Sequence, residues 1–476
     1  MNKNYFRKFT ADVDVPVTII DILGKLQKQG ATLEELQRVE KAYVRASEIH
    51  KTHTRQSGEK YIIHPLHVAW YDMIMGAHDI DEICASLLHD TVEDSKGKYT
   101  IADVEMDFNP TVAMLVDGVT KIKNISEAET KEQANTKKIL ESLTIDYRCI
   151  RIKVADRIHN MKTLNFKPEP EKRVKIAKET MQLIVPLAKA IGSHQAKNIL
   201  EELSLQYLNP PAYCNINELK QQRFEEQEFS ILEFQRTVMS ILNKAGVAHY
   251  LELRDLTTNS IYRRLQAGYQ FDKIPDVFYT KVIVQDRKSA YIAQGEIHEA
   301  YKVVQGTIND YISNPDSIFY QSLNSLVYNP DEKMPFAKIK IRTAEMDNRA
   351  KYGPDSSCGS IDEIQKMILN DPFCVVLRKL LKEHDDLEGF YKALNEELLT
   401  PNLIKVSVGD VDVLVPKGST IGQVASKYIP DFGIMEYAMI NGQKVPLDTV
   451  ISNPYSQISA SNDSTGEKTL QKLPNK

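Results

Sequence analysis

The sequence predicts a multidomain chain: an all-α N-terminal unit, an α+β middle unit and a small β-rich unit near the C-terminus. Three observations carry this. Residues 1 to about 200 show helical apolar spacing, as at Leu36, Val39 and Tyr43, with few prolines or glycines. From about residue 248, β-branched and aromatic runs appear, Val277 to Val284 and Ala337 to Thr343. Further on, Ile404 to Val408 and Val411 to Val415 flank Gly409-Asp410, a hairpin signal.

The boundaries follow in order. Asn209-Pro210-Pro211 stops a helix, because proline lacks the amide hydrogen and clashes with the preceding turn. Residues 216 to 246 read as a long charged helix carrying Phe224, Phe229, Leu232 and Phe234. Ala337 to Thr343 alternates apolar with basic, as a half-exposed strand would. Residues 354 to 400 begin as a loop and turn into amphipathic helix. A short helix is expected from Thr420 and a turn at Asn441-Gly442, and the tail from Gln457 is polar and expected to be disordered. The expected division is 1–210, 211–353, 354–402, 403–455 and a tail of 456–476.

Composition excludes several classes. With 476 residues, 42% hydrophobic and 26% charged, the chain has the make-up of a globular protein. Its net charge of −5 provides no global basic field for nucleic acid. Cys84, Cys149, Cys214, Cys358 and Cys374 form no CxxC pair, so neither a zinc ribbon nor a redox motif is visible. No apolar run reaches membrane-spanning length, so a cytoplasmic protein with no membrane partner is expected.

The chemistry concentrates in Leu88-His89-Asp90-Thr91-Val92-Glu93-Asp94. On a continuous helix His89 would stack with Glu93 and Asp90 with Asp94. Three carboxylates set in apolar sequence call for a cation, because burying them unneutralised is costly. Asp156, Asn160 and Thr163 form a second stripe at i, i+4 and i+7, and His64 stands before Pro65 at a helix start. His64, His89, Asp90 and Asp156 together offer two nitrogens and two carboxylates, a set that suits Mn, Fe or Zn better than Ca or Mg. Glu93 and Asp94 are then free for catalytic work on water and phosphate.

The runs YIIHPLHVA, LLHDTVED, LVDGVTKI and IKVADRIHNMKTL resemble the hydrolase domain of the long RelA/SpoT-homologue family, and the likeness extends to about residue 455. The resemblance implies an HD-type hydrolase fold with Mn²⁺ held by His64, His89, Asp90 and Asp156. It implies catalytic carboxylates at Glu93 and Asp94, with Asp94 the choice for positioning or deprotonating water. Arg55 matches the residue that stacks on guanine, Ser57 lies in the same turn, Asn160 and Thr163 line the nucleotide, and Phe166 falls near the base. Gln56 departs from the basic residue usual after that arginine.

The middle unit resembles the family's nucleotidyltransferase-like alarmone synthetase with its chemistry removed. Where the family reads EIQIRT, this chain has Lys338 in place of the Mg²⁺-binding glutamate, and an ammonium cannot ligate Mg²⁺. Arg254 remains without the lysine expected two residues on, Asp276 remains alone, and NGYQSLHT becomes Ile318 to Ser325. The resemblance thus implies a pseudo-synthetase. The last unit resembles a β-grasp TGS domain, with Ile429 where the family has its tRNA-contacting histidine, so tRNA binding is not expected.

The implied activity is Mn²⁺-dependent removal of the 3′-pyrophosphate from guanosine tetra- and pentaphosphate. The alternatives are an HD phosphohydrolase acting on another nucleotide such as NADPH, and a non-catalytic alarmone-binding regulator. A retained pseudo-synthetase suggests a regulatory partner, a protein or the ribosome. Residues 1–210 are expected to fold and bind metal alone, with Lys121 to Thr136 able to move over the site.

Overall fold

The computed structural model describes residues 17–120, 131–266, 270–304, 307–315, 317–329, 336–354, 359–384, 386–394, 403–408, 411–416, 419–422, 424, 437–440, 443–451 and 457–461. Cys358, Gly409-Asp410, Ile429, Asn441-Gly442 and residues 121–130 lie outside the described residues.

The N-terminal unit is helical from Ile19–Lys28 to His194–Leu208. Capping boxes start three of its helices, Thr18 with Asp21, Thr32 with Glu35 and Thr100 with Asp103, each satisfying otherwise orphaned amides. At its centre lies Tyr147–Lys162, with Cys149, Ile150, Ile152, Val154, Ala155 and Ile158 buried. Arg151 of this helix donates to Glu82 from Nε at 2.8 Å and from Nη2 at 2.5 Å, and lies 3.4 Å from Asp72. All three side chains are buried, so the cluster ties together Ile63–Ile74, Ile80–Leu88 and Tyr147–Lys162. These are the helices on or beside which His64, His89, Asp90 and Asp156 sit.

The expected continuous helix through His89 to Asp94 is broken. Ile80–Leu88 ends at His89, and a separate short helix runs Thr91–Asp94. The Thr91 hydroxyl donates to the Leu88 carbonyl at 2.5 Å and competes with the helical ladder there.

The long helix is Pro210–Lys244, starting six residues before the expected 216, because the Asn209 side chain caps it and Pro210 occupies its first turn. The middle unit holds a six-stranded sheet of β1 (His249–Asp255), β2 (Phe278–Val284), β3 (Lys302–Val303), β4 (Asn309–Asp310), β5 (Leu323–Tyr328) and β6 (Ala337–Thr343). The order is β1-β2-β6-β5-β3, with β4 pairing β5 and with β2 and β6 parallel. One face buries Val282, Val284, Ile339 and Ile341 against Phe234, Val238 and Leu242 of the long helix and against Ala290 and Ala293. The other carries Arg254, Tyr279 and Lys338 in register. The expected alternation of β6 holds from Ala337 to Ile341, with Lys338 and Lys340 half-buried between buried apolar residues, and ends at Arg342 and Thr343, which are both buried.

The segment read as a helical linker belongs to the N-terminal core. Ile361–Asn370, Pro372–Glu383 and Leu387–Leu394 bring Ile364, Ile368, Leu377, Leu380 and Phe390 into that core, and the Gln365 amide donates to the Leu143 carbonyl at 2.8 Å. Residues 1–210 alone would therefore expose apolar surface these helices cover. Phe319 of the middle unit is buried in the same core against Gly192, whose φ of +75° and lack of a Cβ allow the approach.

The last unit is a five-stranded sheet, β10-β9-β11-β7-β8, of β7 (Leu403–Val408), β8 (Val411–Pro416), β9 (Tyr437–Ile440), β10 (Gln443–Pro446) and β11 (Gln457–Ser461). β7 and β8 form the expected antiparallel pair. The tail expected to be disordered from Gln457 supplies β11, which lies between β7 and β9. Its alternation is short and mostly small-polar, and partner strands on both sides provide the pairing that its own composition does not signal.

Candidate metal centre

His64 lies in the first turn of Ile63–Ile74, Asp156 on Tyr147–Lys162, and His89 and Asp90 at the break after Ile80–Leu88. The break lets adjacent residues converge: His89 Nε2 lies 3.2 Å from Asp90 Oδ2. His64 Nε2 is 3.5 Å from Asp90 Oδ2 and 3.3 Å from Asp156 Oδ1, and His89 Nε2 is 4.0 Å from Asp156 Oδ1. Each residue is anchored from behind. His89 Nδ1 meets the Ser86 carbonyl at 2.9 Å, His64 Nδ1 meets His159 Nδ1 at 2.8 Å, and the Tyr61 hydroxyl donates to Asp90 at 2.6 Å. Lys153 donates to Asp156 Oδ2 at 2.7 Å and Asn160 to Asp156 Oδ1 at 2.5 Å.

The electrostatics favour a cation. Burial raises the cost of charge on Asp90, yet His89 and His64 hold its carboxyl well below the usual range. Asp156 is likewise held low against burial by Lys153 and His64. Burial would drive His89 down, but the Asp90 and Asp156 carboxylates prevail and push it up to about 9. Burial and the neighbouring His64 drive His159 far down, so it stays neutral. His89 Nε2 is buried with no hydrogen-bond partner, and it points where two carboxylates and a second imidazole meet. A divalent cation fits this donor set: it would satisfy the orphaned nitrogen and neutralise both carboxylates.

Arg55 approaches from the turn before His64. The turn needs Gly58 at φ +86°, and Ser57 donates within it to Glu59 at 3.1 Å. Arg55 Nη2 donates to Asn160 Oδ1 at 2.8 Å and to Thr163 Oγ1 at 3.4 Å, so residues over a hundred positions apart form one edge beside the metal cluster. Phe166 stands on the following turn, Leu164–Phe166, and is 49% exposed, which leaves its ring face open. Glu93 and Asp94 end the short helix after Asp90 and are partly exposed. Sequence reasoning gave no role to Tyr61, Lys153, His159, His50 or His53. His50 and His53 had a readable signal, two histidines three apart at a helix end.

In the middle unit, Asp276 is occupied by an ion pair with Arg264. Against its burial, Arg264 together with Lys338 and Lys340 keeps that carboxyl below its usual range. Arg254 is paired with Glu252 on the same strand. Lys338 sits beside Tyr279 across the strand pair, and Lys340 lies 4.1 Å over the Tyr279 ring. Lys338 thus presents an ammonium on this face at the position where the resemblance expects a glutamate. Among the described residues no helix is long and apolar enough to cross a membrane.

Comparison with known proteins gives two family matches: an HD domain over residues 42–193 and a region found in RelA and SpoT proteins over residues 253–359. A GTP pyrophosphokinase of Brucella melitensis is 31% identical over 427 residues, covering 87% of this chain and 56% of the relative. A GTP pyrophosphokinase of Myxococcus xanthus is 33% identical over 432 residues, covering 88% and 56%. The chain thus spans about half the length of the curated relatives it matches. The small alarmone synthetase 2 of Bacillus subtilis aligns with 34% of this chain and 94% of its own, at 16% identity and a TM-score of 0.25. A helical HD domain followed by a region found in RelA and SpoT proteins, with GTP pyrophosphokinases matching most of this chain, places the chain in the long RelA/SpoT type of proteins.

Proposed function

We propose that the protein is a Mn²⁺-dependent hydrolase that removes the 3′-pyrophosphate from guanosine tetra- and pentaphosphate, with a middle unit that has lost synthetase chemistry. One observation supports this above the others: His64, His89, Asp90 and Asp156 converge directly beside the Arg55, Asn160 and Thr163 edge. A cation held by the four ligands would act as a Lewis acid and make water a nucleophile near neutral pH. Lys153 and Asn160 fix Asp156, and Tyr61 fixes Asp90, so the donor atoms are held before substrate arrives. Arg55 offers a planar guanidinium to a purine face, Asn160 and Thr163 offer polar atoms to the nucleoside, and Phe166 offers an open ring. Asp94, with Glu93 in support, positions or deprotonates the water in the displacement.

The Arg264–Asp276 pair and Lys338 support an inactive synthetase face, since a phosphoryl-transfer site needs carboxylates to hold Mg²⁺. The parallel pairing of first and last strands at the centre of the small sheet supports a β-grasp, TGS-like unit. The test is incubation of metal-loaded protein with guanosine tetraphosphate and nucleotide chromatography. GDP and pyrophosphate are expected. Asp90→Ala should lose metal and turnover together, whereas Glu93→Gln should retain this metal and lose turnover. Rapid hydrolysis of a different nucleotide such as NADPH, with the tetraphosphate untouched, would overturn the substrate assignment.

A further inference from the structure

A second group of metal-ligating side chains lies next to the first; its two histidines have no part in the reading above, and its carboxylate is Asp94. His50 closes the helix Leu33–Ile49, and His53 follows in a turn where its amide donates to the His50 carbonyl at 2.9 Å. Asp94 ends the short helix Thr91–Asp94, one turn after the ligand Asp90. We propose that His50, His53 and Asp94 form a second divalent-cation site beside the HD centre.

The geometry is that of a coordination polyhedron. His50 Nδ1 lies 3.3 Å from His53 Nδ1 and 3.6 Å from Asp94 Oδ2. Each of the three residues offers a ligand atom within 4.8 Å of the other two. A tetrahedral ion with bonds of about 2.1 Å sets its ligand atoms about 3.4 Å apart. The edges given for the first cluster run from 3.2 to 4.0 Å, so the two groups share one scale.

His50 is 2% exposed, and the ring nitrogen it turns to the group is Nδ1; its Nε2, on the other side of the ring, lies outside the site. Nδ1 faces both His53 Nδ1 and Asp94 Oδ2. A set of two imidazoles and one carboxylate suits Mn, Fe, Co or Zn and does not suit Ca or Mg.

Tyr61 couples the two clusters. Its ring stacks on His50 with centroids 4.5 Å apart, while its hydroxyl donates to Asp90. The second cation would therefore face the same substrate as the first, where it can neutralise a diphosphate oxygen. Asp94 becomes a ligand in this arrangement, which leaves proton transfer to Glu93.

The test uses the full chain and Mn²⁺ alone, so it stands apart from the identity of the substrate. Metal-stripped protein is dialysed against saturating Mn²⁺, and bound metal is counted per chain by elemental analysis. Two ions are expected for the wild type and one for His53→Gln, a partly exposed position whose replacement is checked by circular dichroism. Electron paramagnetic resonance should show a spin-coupled Mn pair in the wild type and an isolated Mn²⁺ in His53→Gln. A single ion per wild-type chain at saturation overturns the proposal whatever the variant does. So does an unchanged count in His53→Gln, and so does a variant that loses turnover while wild type and variant both hold one ion.

Discussion

Phe319 offers the sharpest probe of coupling between the units. It belongs to the middle unit by sequence, in the run where the related synthetases have a glycine, yet it is 1% exposed inside the N-terminal core. A Cβ placed on Gly192 would lie 2.6 Å from Phe319 Cγ, so ring and glycine are fitted to each other. Ser317 adds a hydrogen bond to Asp371 at 2.9 Å, next to the helix Pro372–Glu383. Truncation of a buried phenylalanine to alanine costs about 3–5 kcal/mol. Applied to docking of the two units, that is roughly a hundred- to several-thousand-fold shift toward the undocked state. Phe319→Ala in the full chain should therefore lower the melting temperature and raise amide exchange in Val185–Ala190 and Pro372–Glu383. It should also slow hydrolysis, because the nucleotide-binding edge loses a rigid support. The full chain is needed, since helices after residue 360 complete the N-terminal core. Unchanged exchange and a stability loss below about 0.5 kcal/mol would refute the reasoning, because such a value is ordinary for a surface site.

Three further expectations follow from the same contacts. Arg151→Leu leaves Glu82 and Asp72 buried without their cation, whose carboxyls burial already pushes up, and should destabilise by about 3–5 kcal/mol in denaturant melts. His194, facing Tyr320 and surrounded by Lys197, Lys189 and Arg342, is pushed down to about 4 by burial and then by those cations. Its folded pKa lies below the unfolded value, so the unfolded chain binds the extra proton: stability is full above about pH 6.5 and falls by up to about 3 kcal/mol as the pH drops toward 4. His194→Asn should flatten that limb in melts across the range, and an unaltered slope would assign it to other groups. Labelled ATP with GDP and Mg²⁺ should yield no alarmone above background, and synthesis that disappears in Asp276→Asn would show that the middle unit is catalytic after all.

The sequence by itself determined the parts of this protein that rest on local pattern. Helical periodicity, the Pro210-Pro211 break, the strands at 278–284 and 337–343 and the β7–β8 pair all follow from side-chain spacing and backbone chemistry, and each is present near its expected position. It also named His64, His89, Asp90 and Asp156, because histidine and carboxylate set in apolar sequence carry a desolvation cost visible without coordinates. Only tertiary structure decided how these meet. A regular helix would have spread His89 and Asp90 over neighbouring faces, and the Thr91 hydroxyl bond at Leu88 turns them toward one point. Arg55 reaches Asn160 and Thr163 across more than a hundred residues, a contact no local pattern encodes. The helices after residue 360 are amphipathic in sequence, but amphipathicity says that a face is covered and not by what. β11 shows the same limit, since Gln457 to Ser461 becomes a strand because β7 and β9 offer unpaired edges on either side. His50 and His53 stand three apart in the sequence, and they become candidate ligands only where the fold brings Asp94 to them.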